Sequence, residues 1–306
     1  MNSEQMKFSS LDQPLFGGAV KGDLVEYLDF VADRFVPVLA GRPLSVWRIL
    51  RGQDPFMQKN VPKYTPDYVK TVEVWAEASH RQIRYALCDD KQTLMWFANQ
   101  RAVEYHVPLF VSDHSGDGHQ THMVLDVDPP EGAEFDVVVK SAFLIREALG
   151  QAGLEGAVKT SGAKGVHIFV PLERHDPDDV AAATRAVAAR AEQLDPDLAT
   201  TAYIKAERGG KVFLDSTRAW GATVVAAYSP RLREGLPISF PVPWESLKDV
   251  TPADFTVRSR FDDDPWTSLM PAPQRLPEDL ITQGHGIPVA RVVAMHEGKR
   301  RKREKS

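Results

Sequence analysis

The feature that most constrains this chain is a regular succession of apolar strand and helix patterns that begins near residue 120. Strand patterns cover residues 122–127, 156–160, 166–170 and 211–215, and helix patterns cover residues 135–152 and 177–194. A proline pair closes the first strand, and a turn with two glycines joins the second and third strands. The order β-α-β-β-α-β predicts a ferredoxin-like, RRM-like unit, and therefore an α+β protein.

Residues 1–105 have the pattern of a separate, mixed α/β module. Helix patterns there cover 21–39 and 93–103, and strand patterns cover 43–50 and 82–87. A further strand pattern at 223–228 follows the ferredoxin-like unit. We expect three parts within one compact unit, namely an N-terminal α/β module (1–105), an RRM-like module (106–270) and a C-terminal arm with a basic tail (271–306).

Composition narrows the class of protein. The 306 residues contain one cysteine, which excludes an internal disulfide and any zinc site built on several thiolates. We find no apolar run of about 18 residues and no signal-peptide pattern, so we expect no membrane association and a cytoplasmic, nucleoid-associated protein. The formal net charge of −5 argues weakly against nucleic acid as a partner, unless acidic and basic residues are segregated.

Two carboxylates, Asp126 and Asp128, end the first strand of the predicted unit. Alternation along a strand directs residues i and i+2 to the same face, where two like charges repel unless a cation lies between them. Mg²⁺ and Mn²⁺ prefer oxygen ligands, so the pair is either half of a metal site for phosphoryl transfer or a solvated strand end. Asp215 ends the last strand, which lies beside the first in a ferredoxin-like unit, and completes a candidate trio.

The turn SGAKGVH, residues 161–167, joins two of the strands. Its glycines permit close approach to an anion, while Ser161, Lys164 and His167 offer a hydroxyl, a charge and an imidazole. The alternative is a flexible hairpin with an exposed lysine. Arg208 and Arg218 flank Asp215 and either hold phosphate oxygens or pair with the carboxylates.

Other basic and histidine-containing segments are ambiguous. His106, in the segment EYHVPL, is an isolated histidine, and its role is either structural or catalytic. The histidines between 113 and 122 either bind a transition metal or belong to a solvated connector. The run KRRKRE at 299–304 is either a solvated end or a loose contact for phosphate backbones.

Several of these segments together resemble the polymerase domain of bacterial ligase D and its stand-alone relatives in the archaeo-eukaryotic primase superfamily. The resemblance covers nearly the whole chain and rests on motifs in the right order: LDQPLFGGAVKGDLVEYL, PFMQKN, EYHVPLF, LDVDPP, KTSGAKGVHIFVPL, KVFLDSTRA, AAYSPRLREG and FPVPWESL. It implies a primase-polymerase fold in which the 106–270 module is catalytic.

The resemblance also implies roles for individual residues. Asp126, Asp128 and Asp215 match catalytic ligands of two divalent ions, usually Mn²⁺ and otherwise Mg²⁺. The nucleotide-binding set is Ser161, Lys164, His167, Arg208, Arg218 and, near the sugar, His106. The nucleic-acid-binding set is Lys21, Arg51, Phe56 and Lys59. The implied substrates are NTPs or dNTPs and gapped or broken DNA with a template strand.

Departures from the family pattern refine the expected function. End-joining members grip a downstream 5′-phosphate with two lysines, whereas this chain has Gln13 at the first position and Lys21 at the second. These 306 residues also contain no ligase or nuclease module, and together the departures suggest a stand-alone polymerase that fills short gaps and works with a separate DNA ligase. We further expect a monomer, and the resemblance implies a preference for ribonucleotides. The alternatives are an end-joining polymerase, a catalytically silent nucleic-acid-binding module, and a metal-dependent nuclease or phosphatase.

Overall fold

The computed structural model describes residues 7–76, 80–112, 118–218 and 222–289. The helices are α1 (Lys21–Leu39), α2 (Lys91–Asn99), α3 (Phe135–Gln151), α4 (Pro177–Leu194), α5 (Pro265–Leu269) and α6 (Glu278–His285). The strands are β1 (Pro14–Phe16), β2 (Ala19–Val20), β3 (Ser45–Arg48), β4 (Phe56–Gln58), β5 (Thr71–Ala76), β6 (Arg81–Ala86), β7 (Ala102–Pro108), β8 (Phe110–Val111), β9 (His119–Gln120), β10 (His122–Asp128), β11 (Ala157–Thr160), β12 (Val166–Pro171), β13 (Ala199–Thr200), β14 (Val212–Asp215), β15 (Thr223–Val225) and β16 (Pro241–Val242).

The larger sheet confirms the predicted ferredoxin-like unit. Its order is β13-β14-β10-β12-β11-β16, and the four inner strands alternate antiparallel as β14-β10-β12-β11. Helices α3 and α4 pack on each other and on this sheet. Met123, Leu125 and Val127 of β10 join the core under these helices, whereas Asp126 alternates with them and lies on the opposite face of the sheet.

Local chemistry explains where these helices begin. In α4, Asp176 accepts a hydrogen bond from the amide of Asp178, and Pro177 occupies the first turn, where its missing N–H has no cost. Alanine and valine side chains of α4 are fully buried against the sheet and α6. The close α4–α6 contact depends on Gly284, where an added Cβ would lie 1.9 Å from the carbonyl oxygen of Ala182.

A smaller sheet, in the order β15-β7-β3-β4, belongs mainly to the N-terminal part. Helices α1 and α2 pack together beside it, and one hydrophobic core continues from this region into the larger unit. The expected boundary at residue 105 falls inside β7, and β15 comes from beyond it. The division into modules stays a prediction.

Two sequence-based boundaries were wrong. The helix expected over 93–103 ends at Asn99, because Arg101 has a positive φ of 60° and residues from Ala102 onward pair with β3 and β15. The strand expected over 223–228 ends at Val225, since the chain turns before Tyr228, whose φ is 68°.

Some expectations fall on residues outside the described ranges. The basic run at 299–304 and His114 are among them. Across the residues that are described, no helix is long and apolar enough to cross a membrane.

Candidate active site

The acidic residues lie on the face of the larger sheet opposite α3 and α4, where Asp126 and Asp215 are buried. Asp126 of β10 lies in register with Asp215 of β14 on one side and with His167 of β12 on the other. Asp128, two residues further along β10, shares this face and pairs with Phe213. Antiparallel pairing therefore brings two carboxylates and an imidazole, which are distant in sequence, into one row across three strands.

Arg218 connects two of the carboxylates. Its Nη2 donates a hydrogen bond to Asp126 Oδ2 at 3.0 Å, and its Nε forms an ion pair with Asp215 Oδ2 at 3.2 Å. Thr217 donates to the other oxygen of Asp215 through its amide, at 2.8 Å, and its hydroxyl, at 2.6 Å. The Asp215 carboxylate is thus fixed from both sides by its own C-terminal turn.

The carboxylates of Asp126 and Asp128 differ in how well neighbouring positive charges stabilise them. Burial would raise the pKa of Asp126, but His167 and Arg218 outweigh it and hold that pKa below its ordinary value. At Asp128, burial and then the charge of Asp126 raise the pKa to about 6, against the opposing effect of Arg218. The site therefore has more negative charge than its own cations balance, which favours an added cation.

The chemical type of these side chains suits a divalent ion, because carboxylate oxygens are its preferred ligands. Three carboxylates lie on one face of two neighbouring strands, and the guanidinium of Arg218 shows that two of them share a cation. Within the described ranges, however, no three acidic, histidine or cysteine side chains are already spaced as metal ligands. An ion held by Asp126 and Asp215 would compete with Arg218 for their oxygens.

The turn after β11 forms the wall beside these acids. The hydroxyl oxygen of Ser161 accepts hydrogen bonds from the amides of Ala163 and Gly165, both at 3.1 Å, which closes the turn. Gly165 packs on β10 so closely that an added Cβ would lie 1.9 Å from the Val127 carbonyl oxygen. Lys164 is exposed at the tip of this turn.

Lys159 was not anticipated from the sequence. It is fully buried on β11 in register with His167, and its Nζ lies 2.8 Å from His167 Nδ1 and 2.5 Å from Ser239 Oγ. The other ring nitrogen of His167 lies 3.3 Å from Asp126 Oδ1. The only signal in the sequence was a lysine inside an apolar strand, two residues before the turn.

A second network joins His106 to the same turn. Glu104 contacts His106 Nε2 at 2.9 Å and forms an ion pair with Arg231 Nε at 3.3 Å, while Arg231 Nη1 donates to the carbonyl oxygen of Ser161. Burial alone would raise the pKa of Glu104, but the contacts with His106 and Arg231 lower it to about 2. Glu104 and Arg231 were also missed, although the pattern Glu-x-His on one strand places Glu104 and His106 on the same face.

Arg208 borders the acidic row from another direction. Its guanidinium lies over the ring of Phe213, 3.6 Å from the centroid, and donates to the carbonyl oxygens of Ala202 and Tyr203. The positive charge of Arg208 opposes the rise in the pKa of Asp128. A cleft of about 440 Å³ opens here, lined by Asp128, Tyr203, Arg208, Phe213, Asp215, Thr217, Arg218 and Ala222.

The predicted nucleic-acid contacts lie in the N-terminal part. Arg51 and Lys59 are exposed on either side of β4, and the ring of Phe56 lies 5.8 Å from the guanidinium of Arg48. Lys21 differs, since only 3% of it is exposed and its Nζ donates to the Ser9 carbonyl and to Asn99. Its proposed phosphate contact would require those partners to move.

Two histidines of the histidine-rich connector, His119 and His122, lie within the described ranges. His122 is in contact with the Thr121 hydroxyl through Nδ1, at 2.8 Å, and burial lowers its pKa to about 3. His119 is exposed on β9.

Comparisons with known proteins identify the family of this chain. The family model described as LigD, primase-polymerase domain, matches residues 20–266. The bifunctional non-homologous end joining protein LigD of Bacillus subtilis is 32% identical over 266 residues, which cover 84% of this chain and 42% of that protein. The multifunctional LigD of Mycolicibacterium smegmatis is 30% identical over 252 residues, which cover 80% of this chain and 33% of that protein.

A solved structure gives the same result for the fold. The polymerase domain from Mycobacterium tuberculosis Ligase D, in complex with DNA, has a TM-score of 0.76 and 31% sequence identity. The match covers 83% of this chain and 92% of that one. The chain thus spans nearly all of a polymerase domain but less than half of either curated relative.

Proposed function

The chain belongs to the LigD primase-polymerase domain family, and from that membership we propose that it extends the 3′ end of a gapped or broken DNA strand. Membership makes it a nucleotidyltransferase of the polymerase class. The proposed reaction is the template-directed transfer of a nucleotide from a nucleoside triphosphate, with release of pyrophosphate. It would take place during DNA repair.

One observation carries the proposal. Asp126 lies in strand register with both Asp215 and His167, so two carboxylates and an imidazole share one sheet face, next to the turn 161–165 that leads into β12. A hydrolase that gathers acidic residues has no need of a triphosphate turn such as 161–165 beside them. The arrangement therefore favours transfer from a nucleoside triphosphate over simple hydrolysis.

Asp126, Asp128 and Asp215 are the proposed holders of two divalent ions, Mn²⁺ or Mg²⁺. Such ions lower the pKa of a primer hydroxyl and stabilise the charge of departing pyrophosphate. The carboxylates themselves are oriented by neighbours, since Thr217 fixes Asp215 and His167 faces Asp126. Asp128 and Asp215 line the cleft, and Asp126 lies buried behind them.

The triphosphate would lie between the acidic row and the basic side chains. Lys164 at the turn tip and the two arginines Arg208 and Arg218 supply positive charge around it. Ser161 acts by holding the turn closed, because its hydroxyl accepts from two turn amides. His167 offers a ring nitrogen at the junction of the turn and the acids.

His106 is proposed to contact the sugar of the incoming nucleotide. Its Nε2 is engaged by Glu104, and Glu104 is tied through Arg231 to the triphosphate turn. The residue proposed to contact the sugar is therefore connected, through Glu104 and Arg231, to the turn proposed to contact the phosphates. Arg51, Phe56 and Lys59 would contact the primer–template strands, with Phe56 as a stacking surface for a base.

Gap filling is favoured over end joining by the environment of Lys21. Its ammonium is satisfied by Ser9 and Asn99, and Gln13 carries no charge for a second phosphate contact. A weak grip on a downstream 5′-phosphate suits filling of short gaps, with sealing by a separate ligase.

Primer extension on gapped DNA tests the proposal. We expect labelled primers to lengthen by a few nucleotides when Mn²⁺ or Mg²⁺ and NTPs or dNTPs are supplied. The double variant Asp126→Ala, Asp128→Ala should lose extension while keeping DNA affinity, and Asp249→Ala, an exposed carboxylate elsewhere, serves as the matched control. Lack of extension by the unaltered protein would favour the silent binding module, and metal-dependent shortening of the DNA would favour the nuclease.

A further inference from the structure

A buried lysine lies behind the acidic row without an acidic partner. Lys159 has no solvent exposure, and none of the ion pairs among the described residues includes it. Its Nζ is bordered by His167 Nδ1, Ser239 Oγ and, at 5.4 Å, the ring of Phe169. Burying an unpaired ammonium is costly, so this position calls for a specific use of the amine.

The directions of the hydrogen bonds around Lys159 are fixed by its neighbours. The Ser239 hydroxyl donates to the Thr160 carbonyl oxygen at 2.7 Å, so its oxygen accepts from Lys159. On the other side of the His167 ring, Nε2 faces Asp126 Oδ1 at 3.3 Å. A carboxylate oxygen only accepts, so Nε2 carries a proton and Nδ1 of the neutral ring accepts from Lys159.

We propose that Lys159 is a positioning residue that holds His167 in the Nε2–H tautomer and fixes its ring toward the reacting groups. The inference rests on the proposed function of the site, where His167 meets the triphosphate. The other tautomer would present a lone pair to Asp126 and to phosphate oxygens, both of which need a donor. Groups behind a functional histidine fix its tautomer and ring orientation in this way in metal sites generally.

The amine is suited to this use. Burial, and then the charge of Arg231, lower the pKa of Lys159. In either protonation state the side chain keeps at least two N–H groups, and the structure supplies two acceptors for them, Ser239 Oγ and His167 Nδ1.

The tautomer of His167 can be measured directly. In ¹⁵N-histidine-labelled full-length protein, the Nδ1 and Nε2 resonances of His167 are assigned by their loss in His167→Gln. We expect Nε2 protonated and Nδ1 unprotonated in the unaltered protein. Nδ1 protonated there would overturn the proposal without any variant.

Lys159→Met tests the role of the amine, and exposed Lys140→Met is the matched control. Methionine keeps the length of the side chain and removes its N–H groups, so the buried Nδ1 of His167 loses its donor. We expect mixed tautomers of His167, a thermal midpoint lowered by the loss of this hydrogen bond, and a KM for the incoming nucleotide raised about 10- to 100-fold. A folded Lys159→Met protein with the original tautomer and KM would contradict the proposal.

Failure of the two proposals is distinguishable. If the unaltered protein extends no primer, the proposed function fails, while the ¹⁵N spectra still decide the tautomer. If Lys159→Met does not fold, Ser239→Ala replaces it as the test variant. This change removes the hydroxyl that accepts from Lys159 Nζ, so the amine is held by His167 alone. We expect faster exchange of the Lys159–His167 hydrogen bond, with a smaller rise in the KM for the incoming nucleotide. Unchanged spectra and KM in Ser239→Ala would count against the proposal.

Discussion

Asp126 and Asp215 face each other across the β10–β14 strand pair, and the guanidinium of Arg218 contacts both carboxylates. Pairing of adjacent antiparallel strands fixes this relationship, so it does not depend on a flexible loop. The pair is a preformed place for positive charge, filled in this structure by an arginine.

Removing one carboxylate of the pair should abolish extension. We expect Asp126→Asn to lower the rate at least about 10³-fold, because metal ions supply several kcal/mol of charge stabilisation and each 1.4 kcal/mol is tenfold in rate. Single-turnover primer extension measures the effect. Exposed Asp249→Asn should keep the original rate, and retention of more than a tenth of the rate by Asp126→Asn would argue against its role.

The carboxylate of Asp128 should lower the free energy of unfolding of the metal-free protein above pH 6. Burial and Asp126 raise its pKa to about 6, so the folded protein binds more protons than the unfolded one between the ordinary aspartate pKa and that value. Stability is therefore lost as pH rises through this window. In EDTA, Asp128→Asn should melt at a higher temperature than the unaltered protein at pH 7.5.

The pH dependence itself is the check on that assignment. Because asparagine does not titrate, the difference in melting temperature should shrink as the pH falls toward 4. A difference that stays constant from pH 4 to pH 7.5 would mean that the carboxylate of Asp128 is not the cause. Extension by Asp128→Asn should be lost throughout, since in the proposed mechanism the same charge that destabilises the fold holds the ion.

Arg218 should stabilise the protein mainly when metal is absent. Without it, Asp126 and Asp215 repel each other and have no bridging cation. We expect Arg218→Ala to melt at a lower temperature in EDTA and to show a larger upward shift with Mn²⁺ than the unaltered protein. Exposed Arg174→Ala should match the unaltered protein in both conditions, and equal Mn²⁺ shifts for all three would refute the competition.

Gly165 should be intolerant of a side chain. A Cβ there would lie 1.9 Å from the Val127 carbonyl oxygen, so the turn 161–165, the proposed triphosphate site, would be forced away from β10. We expect Gly165→Ala to lose about 1–3 kcal/mol of unfolding free energy and to bind nucleotide more weakly. Gly150→Ala in α3, where an added Cβ meets nothing within 4 Å, should instead be neutral or gain up to about 1 kcal/mol.

Extension should depend little on a downstream 5′-phosphate. Lys21 is bonded within the protein, and Gln13 offers no charge. Extension rates on gapped DNA with and without the 5′-phosphate should agree within about twofold, since each phosphate contact contributes modestly. A strong preference for the phosphate that disappears in Lys21→Ala would instead support the end-joining alternative.

The order of elements was predictable because it depends on local patterns. The limits of α1 and α4 agree with their apolar periodicity, and the alternation around Asp126 and Asp128 placed both on one face. The error at α2 has the same origin, since apolar residues on both sides of Gln100 carry no signal that the chain reverses there.

The partners of the site residues were not predictable in this way. Lys159 and Ser239 are 80 residues apart, and Glu104 and the amide of Leu232 are 128 apart. The periodicity of apolar residues indicates which face of a strand or helix a residue occupies, but it does not indicate which distant residues pack against that face. Burial has the same limitation, because Lys21 and Lys164 are both lysines beside glycines, yet one is bonded inside the protein and the other is exposed.

The sequence by itself determined the ferredoxin-like order, the acidic trio and the family, since spacing and motif order are properties of the chain alone. Only the tertiary structure decided that Arg218 lies between two of the acids, that Lys159 supports His167 and that Lys21 is engaged within the protein. Those relationships depend on strand register and packing between distant segments, which side-chain hydrogen bonds and burial settle after the chain has folded.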